Sequence, residues 1–298
     1  MTRQRGLVLL PMTLMLAIVG ALAYTMSRDG AMNVSAIDAQ YEIDKARYLA
    51  EAGVNLVKWR NERLGCSSAQ GFTAPVTALD GGTISASGVS AKGKNLAMTV
   101  SATTARGTVN QVVLDDAHGV QVHDLTKLVE ITLSAQGSSD TFIRKYPAFV
   151  PAALPYLETT DGNAYGLLKF GPASVPPGAL IMEATLRLYL DIIASTQPGS
   201  LGIHRLLRAW PTDVGWTAEW TTDGVAYATQ PSATINQVLA RKTYPSRIDA
   251  LVQSWVNNPA TSFGMLLKPT GLVTARFNSF EASSNQPQLL LRYYPQCT

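Results

Sequence analysis

Residues 7–26 of this chain hold no Asp, Glu, Lys or Arg, and the apolar run passes without a helix-ending signal into a patterned segment that reaches Leu64. In that segment Ala36, Ile43, Ala50, Val57 and Leu64 recur at heptad spacing, and Ala39, Ala46 and Gly53 form the row between them. Small or apolar residues on one stripe, with Asp38, Glu42, Lys45 and Arg47 off it, predict one unbroken helix over residues 7–64. At about 1.5 Å per residue it is roughly 87 Å long, too long for one globular domain. The seam Ala36, Ala39, Ile43, Ala46, Ala50, Gly53 and Val57 is mostly Ala and Gly, which lets a neighbouring backbone come close. A membrane-proximal stalk is the plainer alternative.

The apolar run of roughly 20 residues matches the roughly 30 Å hydrocarbon thickness of a bilayer, so residues 7–26 are expected to be transmembrane. Arg3 and Arg5 ahead of the run keep the first residues in the cytoplasm and send the rest across. A cleaved secretory signal fits the same beginning, because Ala21-Leu22-Ala23 before Tyr24 has the small-x-small cleavage pattern.

With 298 residues, 46% of them hydrophobic and 8% aromatic, the chain can build cores beside the helix. A net charge of +3 on 15% charged residues, with no cluster of Lys and Arg, excludes a nucleic-acid footprint. Cys66, where the helix should end, and Cys297, beside the C-terminus, are expected to pair in an oxidising compartment, closing a loop worth on the order of 4 to 5 kcal/mol. Two unpaired thiols are the alternative. His118, His123 and His204 have no metal-ligand spacing. There is no Gly-x-Ser-x-Gly elbow, His-Glu-x-x-His, Cys-x-x-Cys or phosphate-binding glycine loop, so no enzyme is expected. Asp213, Glu219 and Asp223 are the nearest material for the carboxylate pair of a glycoside hydrolase.

Past the helix, Gly65, Cys66 and the Ser- and Gly-rich run up to Gly88 read as loop. Residues 96–102 and 108–114 alternate apolar and polar around Ala105-Arg106-Gly107, which predicts a hairpin packed on the distal half of the helix or on the next domain. Residues 129–133 are a further strand. From residue 138 the chain is all-β between turn signals, except that Ile248, Leu251, Val252 and Trp255 fall at helical spacing. The expected class is α+β: a leader over residues 1–6, the helix over 7–64, a small β region and linker over 65–137, and a jelly-roll-like β-sandwich over 138–298.

Two resemblances sharpen this. A basic leader ending in glycine, Arg3-Gln4-Arg5-Gly6, then the apolar run and Ala50-Glu51-Ala52-Gly53 resemble the N-terminus of type IV pilin-like proteins, in particular minor pilins of the PilX-like group. The resemblance implies cleavage after Gly6 by a prepilin peptidase, a methylated N-terminus at Leu7, and packing against other pilin subunits. Pro11 stands where pilins usually carry the glutamate that pairs with a neighbour's N-terminal amine, which points to an accessory subunit. The second half resembles the DNRLRE domain of surface proteins, some related to carbohydrate-binding modules. The features in order are Asp140-Thr141-Phe142-Ile143, Tyr165 to Phe170, Val175-Pro176-Pro177-Gly178-Ala179, Ala184 to Tyr189, Trp210 with Val214-Gly215-Trp216, Ile248 to Trp255, Phe263 to Lys268, Phe277 to Glu281 and Pro287-Gln288-Leu289.

Trp210, Trp216 and Trp255 hold tryptophan positions of that pattern, which implies packing in the core. Trp220, Tyr227 and Asp223 lie outside it in a Thr-, Gly- and Asp-rich loop and are the expected glycan contacts. Asp140 and Glu281, in the opening and closing motifs, could hold calcium or a basic residue such as Lys169, or form ordinary salt bridges; no other cofactor is expected. The function implied is a minor pilin-like subunit of a type IV pilus or related filament, held in the bacterial inner membrane before assembly and then displaying the sandwich for adhesion to a surface glycan. The alternative is a glycan-binding module on a tethered or secreted protein with no filament role.

Overall fold

A computed structural model describes residues 9–66, 77–92, 95–115, 117–146, 154–171, 175–211 and 213–297, without the side chains of residues 9–14, 29–31, 77, 91 and 92. The leader over residues 1–6 and its cleavage bond lie outside them. The chain divides into two compact units, residues 1–61 with 68–120 and residues 62–67 with 121–298.

The first unit is built on helix α1 (Leu9–Arg63), 55 residues that run through Pro11 without a break. Its first half is bare within the chain: Leu16 is 78% exposed and Met26 76%. No helix among the described residues is long and apolar enough to cross a membrane, and the expected span over 7–26 begins outside them. The distal half lies on an antiparallel sheet of order β1 (Thr77–Leu79), β2 (Gly82–Lys92), β3 (Asn95–Thr103), β4 (Val109–Leu114), with β5 (Val120–Gln121) also pairing to β3.

The expected seam divides in two. Ala46, Ala50, Gly53 and Val57 are buried, whereas Ala36, Ala39 and Ile43 stay exposed. The Cβ of any larger residue at Gly53 would stand 2.6 Å from the Ile84 and Val100 side chains, so the close approach requires glycine there. Arg106, at the hairpin turn, pairs with Asp38 at 2.9 Å and Glu42 at 3.8 Å on the helix.

The loop expected up to Gly88 is corrected: residues 82–92 form β2, the longest strand of this sheet. Its inward positions are Gly82, Ile84 and Ala86, whose small side chains give no apolar signal yet suit a strand pressed against a helix. The Leu49 Cδ1 atom would be only 2.5 Å from a Cβ at Gly82.

The second unit is a sandwich. One antiparallel sheet has the order β6 (Val129–Leu133), β16 (Gln288–Tyr294), β10 (Leu180–Ile193), β15 (Ala275–Asn278), β8 (Tyr156–Thr159), with β13 (Thr243–Arg247) also on β10. The other runs β12 (Ala233–Val238), β11 (Gly199–Arg205), β14 (Met265–Thr270), β9 (Ala164–Lys169), β7 (Ser139–Arg144). Alternation along each strand sends Leu186, Leu188 and Leu190 of β10, Leu289 and Leu291 of β16, and Phe142, Leu168, Ile203 and Leu267 opposite into one core. The helix expected around Ile248 is α3 (Asp249–Asn257), with Leu251, Val252 and Val256 turned in.

Candidate functional site

The expected contact face does not exist. Trp220 is 4% exposed and Tyr227 0%: the short helix α2 (Ala218–Thr221) turns Trp220 inward. With Ile143, Tyr165, Leu167, Leu206, Ala226 and Leu266, both rings fill a second apolar cluster on the far side of β9 and β14. Asp223 is exposed but engaged, accepting from the Tyr227 hydroxyl at 2.5 Å and the Lys268 ammonium at 2.6 Å. Those two bonds, the lysine's first, hold its pKa below the usual carboxylate range. Glu219 pairs with Arg208. The Thr- and Gly-rich composition described a loop's backbone and concealed that its aromatic residues cover the sheet.

The tryptophans of the motif pattern pack as that resemblance implies, Trp210 and Trp216 against the second cluster and Trp255 against the main core. Trp210, Trp216 and Trp255 are half-buried. Trp216 packs against Tyr165 with centroids 4.8 Å apart, and the Cβ of any residue larger than Gly264 would meet the Trp210 ring at 2.9 Å. His204 donates from Nδ1 to the Ala228 carbonyl at 2.8 Å, and burial lowers its pKa. It is a structural histidine.

Cys66 and Cys297 are bonded, with Cα atoms 5.8 Å apart. Asp140 and Glu281 do meet: Asp140 Oδ2 accepts the Phe280 N–H at 2.7 Å, and burial, with the Glu281 carboxylate beside it, raises the Asp140 pKa to about 7. No cluster of three or more His, Cys, Asp or Glu that could hold a metal occurs among the described residues. Lys169 pairs with neither acid there.

A different arrangement occupies the outer face of the β10 sheet. Register sets Arg187 opposite Pro245 of β13 and Gln288 of β16, and Tyr189 opposite Thr243, so these side chains share one face. The turn after β15 supplies a wall. Gln286 Nε2 donates to the carbonyls of Phe280 at 2.7 Å and Ala282 at 2.9 Å, and Asn278 to that of Ser284 at 2.8 Å. Asn285 closes the turn at φ 51°, a conformation that asparagine tolerates better than most residues. Strands and turn enclose a cleft of about 610 Å³ lined by Ser134, Arg187, Tyr189, Thr243, Pro245, Ser283, Ser284, Asn285, Gln286 and Gln288.

Its chemistry is uniform. Arg187 is exposed and pairs with no carboxylate among the described residues, and its guanidinium carries five N–H donors. Hydroxyls and side-chain amides supply both donors and acceptors around the one aromatic ring of Tyr189. Among the described residues no carboxylate lines the cleft. The arrangement can hold a neutral or anionic molecule rich in hydroxyls.

This face is not among the sites expected from the sequence. The signal was nevertheless present: Glu183, Thr185, Arg187, Tyr189 and Asp191 alternate with Ala184, Leu186, Leu188 and Leu190, a period-two pattern with one polar face. The model of carbohydrate-binding module family 96 matches residues 138–293, just over half of the chain. No curated protein matches the chain.

Proposed function

The chain belongs to carbohydrate-binding module family 96, and from that premise we propose that it binds a glycan in the cleft over Arg187 and Tyr189 and is not a catalyst. The observation that carries this reading is the cleft's lining, in which an unpaired guanidinium, amides and hydroxyls surround one aromatic ring without a carboxylate. Sugar rings stack their C–H faces on aromatic rings and exchange hydrogen bonds with such groups. The volume falls within the range of small-molecule sites. The DNRLRE-like order of motifs runs over the same stretch and supports display at a surface.

A glycan array probed with the whole chain is expected to give hits that Tyr189→Ala weakens at least tenfold, about 1.4 kcal/mol, at unchanged thermal stability. Undiminished binding by that variant to every hit would move the site elsewhere, the Trp210–Trp216–Tyr165 surface being the first place to look.

A second reading concerns how the module is held. The 55-residue helix, bare over its first half and seated on a sheet over its second, supports a pilin-like accessory subunit anchored in the inner membrane and then packed in a filament through Ala36, Ala39 and Ile43. Mass spectrometry of the mature N-terminus tests it: pilin processing gives a chain starting at Leu7, and a start at Tyr24 would overturn the reading.

A further inference from the structure

At one end of the sandwich, α3 and the 3₁₀ turn after it (Pro259–Thr261) border a second cleft, of about 440 Å³. It shares no lining residue with the polar cleft. Phe170, Val252, Val256, Leu289 and Leu291 give it apolar walls that open from the main core. Among the described lining residues Ser262 is the one that bears a hydroxyl.

Two polar groups on this lining lack what they need. The Trp255 indole N–H is buried with no acceptor in reach, although buried donors are almost always satisfied. Lys169 lines the same cleft and pairs with no carboxylate among the described residues. An unmet donor and an unneutralised cation beside apolar walls are complementary to one kind of molecule, an apolar body carrying a single negative charge with acceptor oxygens. A pyranose would set its hydroxyls against Val and Leu, and a neutral hydrocarbon would leave both polar groups unmet.

We propose that this end cleft binds a small amphipathic monocarboxylate, with its hydrocarbon part among Phe170, Val252, Val256 and Leu289 and its carboxylate between the Lys169 ammonium and the Trp255 N–H. The site is independent of the polar cleft and does not rest on glycan binding.

Titration calorimetry of the whole chain with octanoate at neutral pH tests it, with 1-octanol as the uncharged control. Saturable one-to-one binding of octanoate is expected, at least tenfold tighter than octanol. Lys169→Gln should weaken octanoate at least tenfold and Lys169→Arg restore most of it. Trp255→Phe, which keeps the ring's bulk and removes the donor, should weaken it several-fold, and Tyr189→Ala should change nothing. Thermal melts of each variant establish that it is folded. Absence of saturable octanoate binding to the parent chain overturns the proposal, as does equal affinity for octanol or a folded Lys169→Gln variant that binds octanoate as the parent does.

Discussion

Replacing both Cys66 and Cys297 with serine is expected to lower the stability of the second unit by about 5 kcal/mol, because the bond joins residues 231 apart in sequence and the unfolded chain regains the entropy of an open loop of that length. Among the contacts that remain on residues 62–66 are the Leu125 N–H to the Glu62 carbonyl at 3.2 Å and the His123 N–H to the Glu62 carboxylate at 3.0 Å. At the other end the Cys297 N–H bonds the Val122 carbonyl at 3.0 Å. Gly65 and Cys66 leave the helix at φ 66° and 63°, a left-handed exit that glycine makes without strain and cysteine does not. Urea unfolding followed by tryptophan fluorescence checks the prediction. Reduction of the native protein and the double serine variant should give the same lowered midpoint, and a midpoint indifferent to thiol would contradict it.

The second large effect is a pH dependence centred on Asp140. Burial at the end of the sandwich, with Glu281 beside it, raises its pKa to about 7, above the value near 4 of an unfolded chain. The folded state therefore holds the proton more tightly than the unfolded state. The stability this contributes is complete below about pH 4 and is lost as pH rises through about 7, and the difference is on the order of 4 kcal/mol. Asp140→Asn keeps an acceptor for the Phe280 N–H and cannot ionise. It is expected to flatten the dependence between pH 5 and pH 8.5, and to exceed the parent in stability at the upper end. Urea midpoints at the two pH values measure this, and parallel profiles for parent and variant would refute it.

The elements legible in the sequence were those whose signal is periodic. The long helix, the hairpin over β3 and β4, β6 and α3 follow from apolar spacing, because burying one face of a regular element imposes that spacing. β2 was illegible for the complementary reason: its buried face of Gly82, Ile84 and Ala86 is small, and the room it leaves is taken by α1. Trp220 and Tyr227 show a different limit. Whether an aromatic ring in a loop faces water or folds back on a sheet depends on what the outer face of that sheet exposes. Tyr165, Leu167 and Leu266 made that face apolar, so the loop closed over it. The polar cleft was half legible, since the alternation along β10 marks an exposed face, but the wall from Ser283 to Gln286 exists only through the tertiary fold.

The most direct measurement of the central claim is a nitrogen-15 chemical-shift map of the whole chain titrated with the strongest glycan from the array. The account predicts saturable shifts confined to the amides around Arg187, Tyr189, Thr243, Asn285 and Gln288. Shifts centred instead on Trp210, Trp216 and Phe263, or spread along α1 with none at β10, would contradict it.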